Sequence, residues 1–377
     1  MGENANYRIC SRCIMDTSDP AIYFDAAGVC SNCHAFDELR ARRHMPDDRG
    51  ERIINTFVEN AKRDGRGKDY DCVVGVSGGV DSSYVLYRTK QLGLRPLAVH
   101  FDCGWDSELA VKNIENLVKL LDVDLFTWVV DWEEMRDLQV AFFRSGVSNA
   151  DIPTDHALVA SLYAVSARHG VRWIVSGSNV VTESLIPSSW GYSSSDLRHL
   201  RAIQGRFGTM KLSRYPQMGF TKRYLWYRFV HQIRMFRLLD YLPYVKADVM
   251  EFLKKDLGWR DYGGKHHESR FTRFYQTYYL PTRFGFDKRR AHLSNLVVSG
   301  QMTRDEALRE MDEPAIAPNE VAELKEYVLK KLGLSDAEFA QIMAEPIRRS
   351  EDFPNNQWLY GIKARIFPKL QALGISP

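Results

Sequence analysis

Residues 71–83, Asp71-Cys72-Val73-Val74-Gly75-Val76-Ser77-Gly78-Gly79-Val80-Asp81-Ser82-Ser83, constrain this chain more than any other stretch. A short apolar run enters a Ser-Gly-Gly-x-Asp-Ser turn, and a helical pattern follows at once through Tyr84, Val85 and Leu86 toward Gly93. Gly78 and Gly79 let the main chain pass close to an anion with no Cβ in the way, and N–H groups at the start of the helix point outward. The hydroxyls of Ser77 and Ser82 add donors, and Ser82 or Asp81 can cap the helix. Asp81 sets a carboxylate beside a phosphate site, and a Mg2+ ion between the two offsets their repulsion. The spacing is not that of the Gly-x-x-x-x-Gly-Lys-Ser/Thr loop, and no lysine follows to reach a terminal phosphate.

The turn resembles the pyrophosphate loop of the PP-loop, or N-type, ATP pyrophosphatases. The resemblance implies that ATP is split between its α and β phosphates, that AMP is placed on a substrate oxygen, and that a nucleophile then displaces AMP. It specifies a reaction class and no substrate.

Around the turn, strands alternate with helices. Residues 97–101 and 125–130 read as strands; between them Asp106-Ser107 leads into a helix whose Ile114, Leu117, Val118 and Leu121 share one face. Asp131 caps a further helix, Thr154 opens another through Arg168 to Gly170, and Trp173-Ile174-Val175 is the next strand. Such alternation predicts an α/β fold with a doubly wound parallel sheet, in which ligands gather beyond the carboxyl ends of the strands. That rule nominates residues 77–82, 102–105, Asp131 and Ser176-Gly177-Ser178-Asn179. Residues 36–68 are highly charged and read as a linker with one helix through Ile53, Ile54, Phe57 and Ala61. Beyond about residue 213 the chain reads as helical and rich in Arg and aromatics, with Leu225, Phe229, Ile233 and Phe236 at helical spacing. Thr303-x-x-Glu306 and Ser335-x-x-Glu338 read as capping boxes. The expected organisation is a cysteine module at 1–46, a linker helix at 47–68, a nucleotide domain at 69–212 and a helical substrate or partner domain at 213–377.

Four of the six cysteines form Cys10-x-x-Cys13 and Cys30-x-x-Cys33, with sixteen residues between the pairs. In a reducing compartment this spacing reads as a closed, structural Zn2+ site with four thiolate ligands; a disulfide pair is the alternative, and His34 is a further candidate ligand. The net charge of +3 over 377 residues shows no strong nucleic-acid footprint. The first residues carry no signal-peptide pattern, and no run of about 18 apolar residues occurs. A cytoplasmic protein with no membrane or nucleic-acid partner is therefore expected.

Several constellations bear on chemistry. Ser176, Gly177, Ser178 and Asn179 would admit a nucleotide across the sheet edge from Ser77, Gly78, Gly79, Val80, Asp81 and Ser82, with Glu183 a turn later as a Mg2+ or ammonia partner. Asp151-Ile152-Pro153-Thr154-Asp155-His156 brings carboxylates and an imidazole to a helix start, although Asp155 also suits the helix dipole. Two basic clusters, at 265–270 and at 288–294, together suit a diphosphate or carboxylate ligand, although each taken singly reads more readily as a solvated charged face.

With these strings together, the chain resembles the N-acetyl sugar amidotransferases of bacterial O-antigen and flagellar sugar synthesis (the WbpG and PseA type). The similarity runs through Cys10 to Cys33, Ser77 to Ser82, 104–114, 152–156, 176–179, 262–266, 271–276, 288–294 and 300–303. It implies ATP, Mg2+ and structural Zn2+ as cofactors and a UDP-linked diacetamido sugar as substrate. The amide oxygen is adenylated and ammonia then gives an acetamidine; a separate glutaminase with a cyclase-like barrel subunit supplies the ammonia. On this reading Asp81, Ser82, Asp155 and Glu183 are catalytic, while Trp105, Thr154, His156, Lys265, His266, Arg270, Lys288 and Arg289 meet the substrate. The alternative is a tRNA-modifying sulfurtransferase of the PP-loop class using Cys103; Cys72, inside a strand, reads as core.

Overall fold

The computed structural model describes residues 7–264 and 267–372. Five strands form one parallel sheet: β1 Cys72–Gly75, β2 Pro96–Asp102, β3 Leu125–Val129, β4 Trp173–Ser176 and β5 Arg234–Arg237. Their order is β3-β2-β1-β4-β5. The chain moves outward from β1 to β3 and then returns to the other side of β1 with β4. The switch point between β1 and β4 opens a crevice at their carboxyl ends, as the doubly wound arrangement requires. This is the parallel sheet expected, with the phosphate loop at the end of its central strand.

The three central strands β2, β1 and β4 are buried on both faces, while the edge strand β3 leaves Leu125 and Val129 exposed. Cys72 and Val74 point to one side, against Ile54, Phe57 and Ala61 of helix Asp48–Asp64 and Leu117 of helix Glu108–Leu121. Val73 and Ile174 point to the other, against Ala160, Leu162 and Val165 of helix Ile152–Arg168. The local signals act where expected: Ser107 accepts from Ala110 N, Asp131 from Glu134 N, and both capping boxes, at Thr303 and Ser335, are closed.

Two segments depart from the sequence reading. Leu225, Phe229, Ile233 and Phe236 do not share a helix, because a wide π-type helix ends at Val230 and the chain turns into β5. Gln232 takes a positive φ of 56° at that turn, and β5 pairs with β4 in register Ile174 to Met235. The sheet therefore draws its last strand from beyond residue 212. The second knuckle is not followed by a linker but runs straight into helix Ser31–Arg43, with Cys33 in its first turn. The cysteines share a hydrophobic cluster with Phe142, Trp190, Phe271 and Phe339, so the N-terminal module and the C-terminal helices are built on a common core.

Candidate active site and cysteine centre

Gly78 has a φ of +78°, and a Cβ there would sit 2.6 Å from the carbonyl oxygen of Ala110. Only glycine lets the chain turn at this point. Its carbonyl accepts from the Trp259 indole at 2.8 Å, which pins the turn from outside. Ser82 Oγ donates to Gly79 O at 3.1 Å and accepts from Ser77 N at 3.3 Å, while Gly79 N donates to Ser77 Oγ at 3.3 Å. The N-cap of helix Val80–Gln91 is Gly79, which brings no capping side chain. The first-turn N–H groups are thus left to face an anion rather than a cap. Across the switch point, a Cβ on Gly177 would press within 3.1 Å of the Asp81 backbone. Glycine at 177 is what allows the loops after β1 and β4 to touch.

A cavity of about 1680 Å3 opens over these loops. Ser77, Gly79, Val80, Asp81, Ser82, Ser176, Gly177, Ser178 and Glu183 line it, as do Thr154, Asp155, Lys288 and Arg289. Gly78 and Asn179 lie behind the wall; Asn179 caps a short helix, accepting from Thr182 N at 2.9 Å. The Arg289 guanidinium is held by Asp287 at 2.8 Å and by the carbonyls of Glu310 and Glu313.

Other residues expected at the substrate lie elsewhere. Trp105 is fully buried, with its indole donating to Gln139 at 2.9 Å and its ring against Trp132 and Phe271. It is a core residue because the chain after β2 folds back under the C-terminal helices. His156 is also buried: Nδ1 donates to Ser194 O at 2.7 Å and Nε2 accepts from Met218 N at 3.1 Å. Burial lowers its pKa to about 4, as befits a neutral ring holding two loops together. The Arg270 guanidinium lies 4.6 Å over the Tyr327 ring, outside the cavity wall. Lys265 and His266 lie outside the described residues.

Groups that the sequence did not mark stand in the cavity wall or against the loop behind it. The Tyr244 phenol donates a short hydrogen bond to the Asp81 carboxylate. Burial, and then Asp81, pushes the phenol pKa well up. His100, at the end of β2, has acceptors on both ring nitrogens: Val76 O at 3.1 Å on Nδ1 and the Asp106 carboxylate at 3.2 Å on Nε2. Burial, the largest single cause, disfavours its cation, but Asp106, the Val76 carbonyl and Asp102 together raise the pKa. The ring stands immediately behind the phosphate loop, with its cationic form favoured relative to a free imidazole. Tyr262 and Glu268 complete this wall. Segment 105–107 pairs with 268–270 through Ser107 N to Glu268 O at 2.8 Å and Arg270 N to Trp105 O at 2.9 Å. No local signal marks these partners, since each meets the loop from 24 to more than 160 residues away. Cys103 lies in the same wall, where burial, and then Asp106, drives its thiol pKa well above the usual range.

The four N-terminal cysteines are buried, with their sulfurs all within 4.8 Å of one another. Sγ–Sγ separations of 3.8 Å (Cys10–Cys33), 3.7 Å (Cys13–Cys30) and 3.6 Å (Cys30–Cys33) match the ~3.8 Å that a tetrahedral site with ~2.3 Å zinc–sulfur bonds demands. Main-chain N–H groups of Arg12, Cys13 and Cys30 point at Cys10 Sγ, and Met15 N at Cys13 Sγ, as thiolates require. His34 turns away to Asp25 at 2.9 Å. The set fits a structural metal with no ligand position left open. The knuckle is clasped from the far end of the chain: Arg304 donates to the carbonyls of Cys10 and Cys13, Arg290 to that of Ile14, and Ile14 N to Ser294. It in turn holds the cavity rim, where Ser189 donates to Asp19 at 2.6 Å and the Trp190 indole to Ser18 O at 3.4 Å.

Residues 268–365 match the WbpG-like C-terminal domain of lipopolysaccharide biosynthesis proteins, which bears out the resemblance over that stretch. An uncharacterised protein of Methanocaldococcus jannaschii is 22% identical over 334 residues, covering 85% of this chain and 99% of its own length. Among solved structures, NMN synthetase from Francisella tularensis aligns at 12% identity and a TM-score of 0.38, covering 77% of this chain and 97% of its own. A predicted subunit of tRNA methyltransferase from Methanocaldococcus jannaschii aligns at 14% identity and a TM-score of 0.28, covering 49% and 76%.

Proposed function

We propose that this chain, WbpG-like over residues 268–365, is an ATP-dependent amidotransferase that turns an acetamido group of a UDP-linked diacetamido sugar, a uronic acid of bacterial surface polysaccharides, into an acetamidine. One observation carries the reading: a cavity of about 1680 Å3 has the phosphate loop on one wall and Lys288 of the WbpG-like segment on another. That exceeds the ~300–1,000 Å3 of an ordinary small-molecule pocket and suits two nucleotide-sized ligands.

In this scheme the amide oxygen attacks the α phosphate of ATP and pyrophosphate leaves. Ammonia adds to the resulting O-adenylated carbon, a proton is lost, and AMP departs with the former amide oxygen. The N–H groups of the 78–82 turn receive the leaving diphosphate, where its charge develops. A protonated His100 would set a cation behind that turn, in a loop that lacks the usual lysine. Asp81 and Glu183 would supply carboxylate oxygens to hold Mg2+, whose charge, when bound, would offset that of the phosphates. For Asp81 to serve, Tyr244 must yield its hydrogen bond. Asp155, in the cavity wall, is the proposed acceptor of the proton from incoming ammonia, and Lys288 the proposed partner of a diphosphate or uronate. A separate glutaminase with a cyclase-like barrel protein is the proposed ammonia source.

The test is mass spectrometry of a UDP-2,3-diacetamido-uronic acid incubated with protein, Mg-ATP and ammonium chloride at alkaline pH. The expected product is about one mass unit lighter, O having been replaced by NH, with AMP and pyrophosphate released. Thiolation of tRNA in the presence of a sulfur donor, with the sugar unchanged, would overturn this reading in favour of the sulfurtransferase. Cys103 in the cavity wall is what that second reading rests on, and its raised thiol pKa weighs against it.

A further inference from the structure

The segment around helix Lys222–Val230 takes no part in the cavity chemistry. Residues 197–239 contain ten Arg and Lys and no Asp or Glu, in a chain whose net charge is only +3. Residues 353–377 also lack acids and carry Lys363, Arg365 and Lys369. The fold sets these two acid-free segments together. Lys363 Nζ donates to the Tyr224 hydroxyl at 2.9 Å and lies 4.1 Å over its ring. The Phe220 and Tyr360 rings meet at 5.4 Å, and the Tyr360 hydroxyl donates to Ser195 O at 2.7 Å.

Away from this seam, both elements turn large apolar side chains to solvent. Leu225, Trp226, Phe229 and Val230 are 54, 54, 68 and 57% exposed. On helix Gln357–Ala372, Trp358, Ile362 and Ile366 are 61, 45 and 47% exposed, at four-residue spacing along one stripe.

We propose that this face is a peripheral contact surface for an anionic phospholipid bilayer, with Trp226, Phe229 and Trp358 entering the headgroup boundary and Lys222 and Arg365 meeting lipid phosphates. Basic residues interleaved with Trp, Phe and aliphatic side chains are the composition of helices that lie in that boundary. The aliphatic Leu225, Val230, Ile362 and Ile366 decide against a nucleic acid, which offers stacking to aromatic rings and nothing to a branched alkyl chain. No helix among the described residues is long and apolar enough to cross a membrane, so the contact is superficial. The sequence expectation of no membrane partner rests on that lack of a span, which does not address a surface contact.

The test is sedimentation of the full chain with vesicles of phosphatidylglycerol and phosphatidylcholine, against phosphatidylcholine alone. Tryptophan fluorescence with brominated lipid chains is the second readout. Binding to the anionic vesicles is expected, with a blue shift and bromine quenching, and with release at about 1 M salt, where the Debye length falls to ~3 Å. Lys222→Glu with Arg365→Glu should weaken partition about tenfold or more. Trp226→Gln with Phe229→Gln should abolish the quenching from Trp226 while the unfolding midpoint stays in place, since these side chains are exposed. No partition into anionic vesicles, or equal partition into neutral ones, would overturn the proposal. So would tighter binding of tRNA through the same residues, or a concentration-dependent dimer lost in Trp226→Gln.

Discussion

Both the cysteine knuckle and the 77–82 turn aim main-chain N–H groups at an anion, yet one shell is closed and the other open. In the knuckle the anions are the chain's own thiolates. Four sulfurs fill the tetrahedron, every one is buried, and the clasp by Arg290 and Arg304 leaves no approach. In the turn, the first-turn amides face a cavity, and the serines bond only within the loop. Local geometry is similar; what differs is whether the tertiary structure seals it or leaves it accessible. A sealed anion site stores folding energy, while an accessible one binds and releases a ligand.

Metal removal should separate the two regions most strongly. Structural zinc contributes folding energy on the order of 10 kcal/mol, so chelation, or Cys10→Ser with Cys33→Ser, should unfold the knuckle. Through Asp19–Ser189 and Ser18–Trp190 it should also expose amides at 187–192 to hydrogen exchange, while β1 and β2 stay protected. An unchanged exchange pattern in metal-free protein would show that the knuckle does not support the cavity rim.

Asp81→Ala works in the opposite sense, leaving the fold intact and lowering ATP-dependent turnover by roughly 10²–10³. Full activity in this variant would remove the pyrophosphatase chemistry from the loop. Gly78→Ala sharpens the geometric point: a Cβ 2.6 Å from Ala110 O at positive φ costs roughly 1–3 kcal/mol. ATP affinity should fall about tenfold, read by calorimetry, with little change at the knuckle.

His100 adds a pH dependence to the turn. Its folded-state pKa is raised above the unfolded value of about 6.5. The stabilisation is therefore full below about pH 6.5 and is lost as pH rises through the raised value. His100→Gln should flatten that part of the ATP-affinity profile; a profile unchanged by the substitution would show that the imidazolium does not act on the phosphates. The smallest effect is expected at Cys103→Ser, with activity within about threefold if ammonia is the nucleophile, although a buried hydroxyl costs roughly 1–3 kcal/mol of stability. Complete loss of activity would favour sulfur transfer.

Residues whose partners lie within a few positions were legible in advance. Ser107, Asp131, Thr303 and Ser335 cap helices as their spacing predicts, because a cap is a contact across three residues. The helix expected through Phe236 failed for the complementary reason. Arg234 to Arg237 read as helical by periodicity, but an open edge of β4 offers them ladder hydrogen bonds, and tertiary pairing outweighs local pattern. Trp105 and His156 failed likewise. A polar or aromatic residue beside a motif looks functional until packing assigns it a buried partner.

The sequence alone determined the parts whose physics is local: the glycine-dependent turn, the paired cysteines, the alternation that makes a parallel sheet, and the helix caps. Tertiary structure alone decided that Tyr244 and His100 stand at the loop, that Gly177 backs onto Asp81, and that residues of the WbpG-like segment clasp the knuckle. Those are contacts between groups far apart in the chain, and folding selects them by burial and hydrogen-bond satisfaction over the whole core, which no short window of sequence can express.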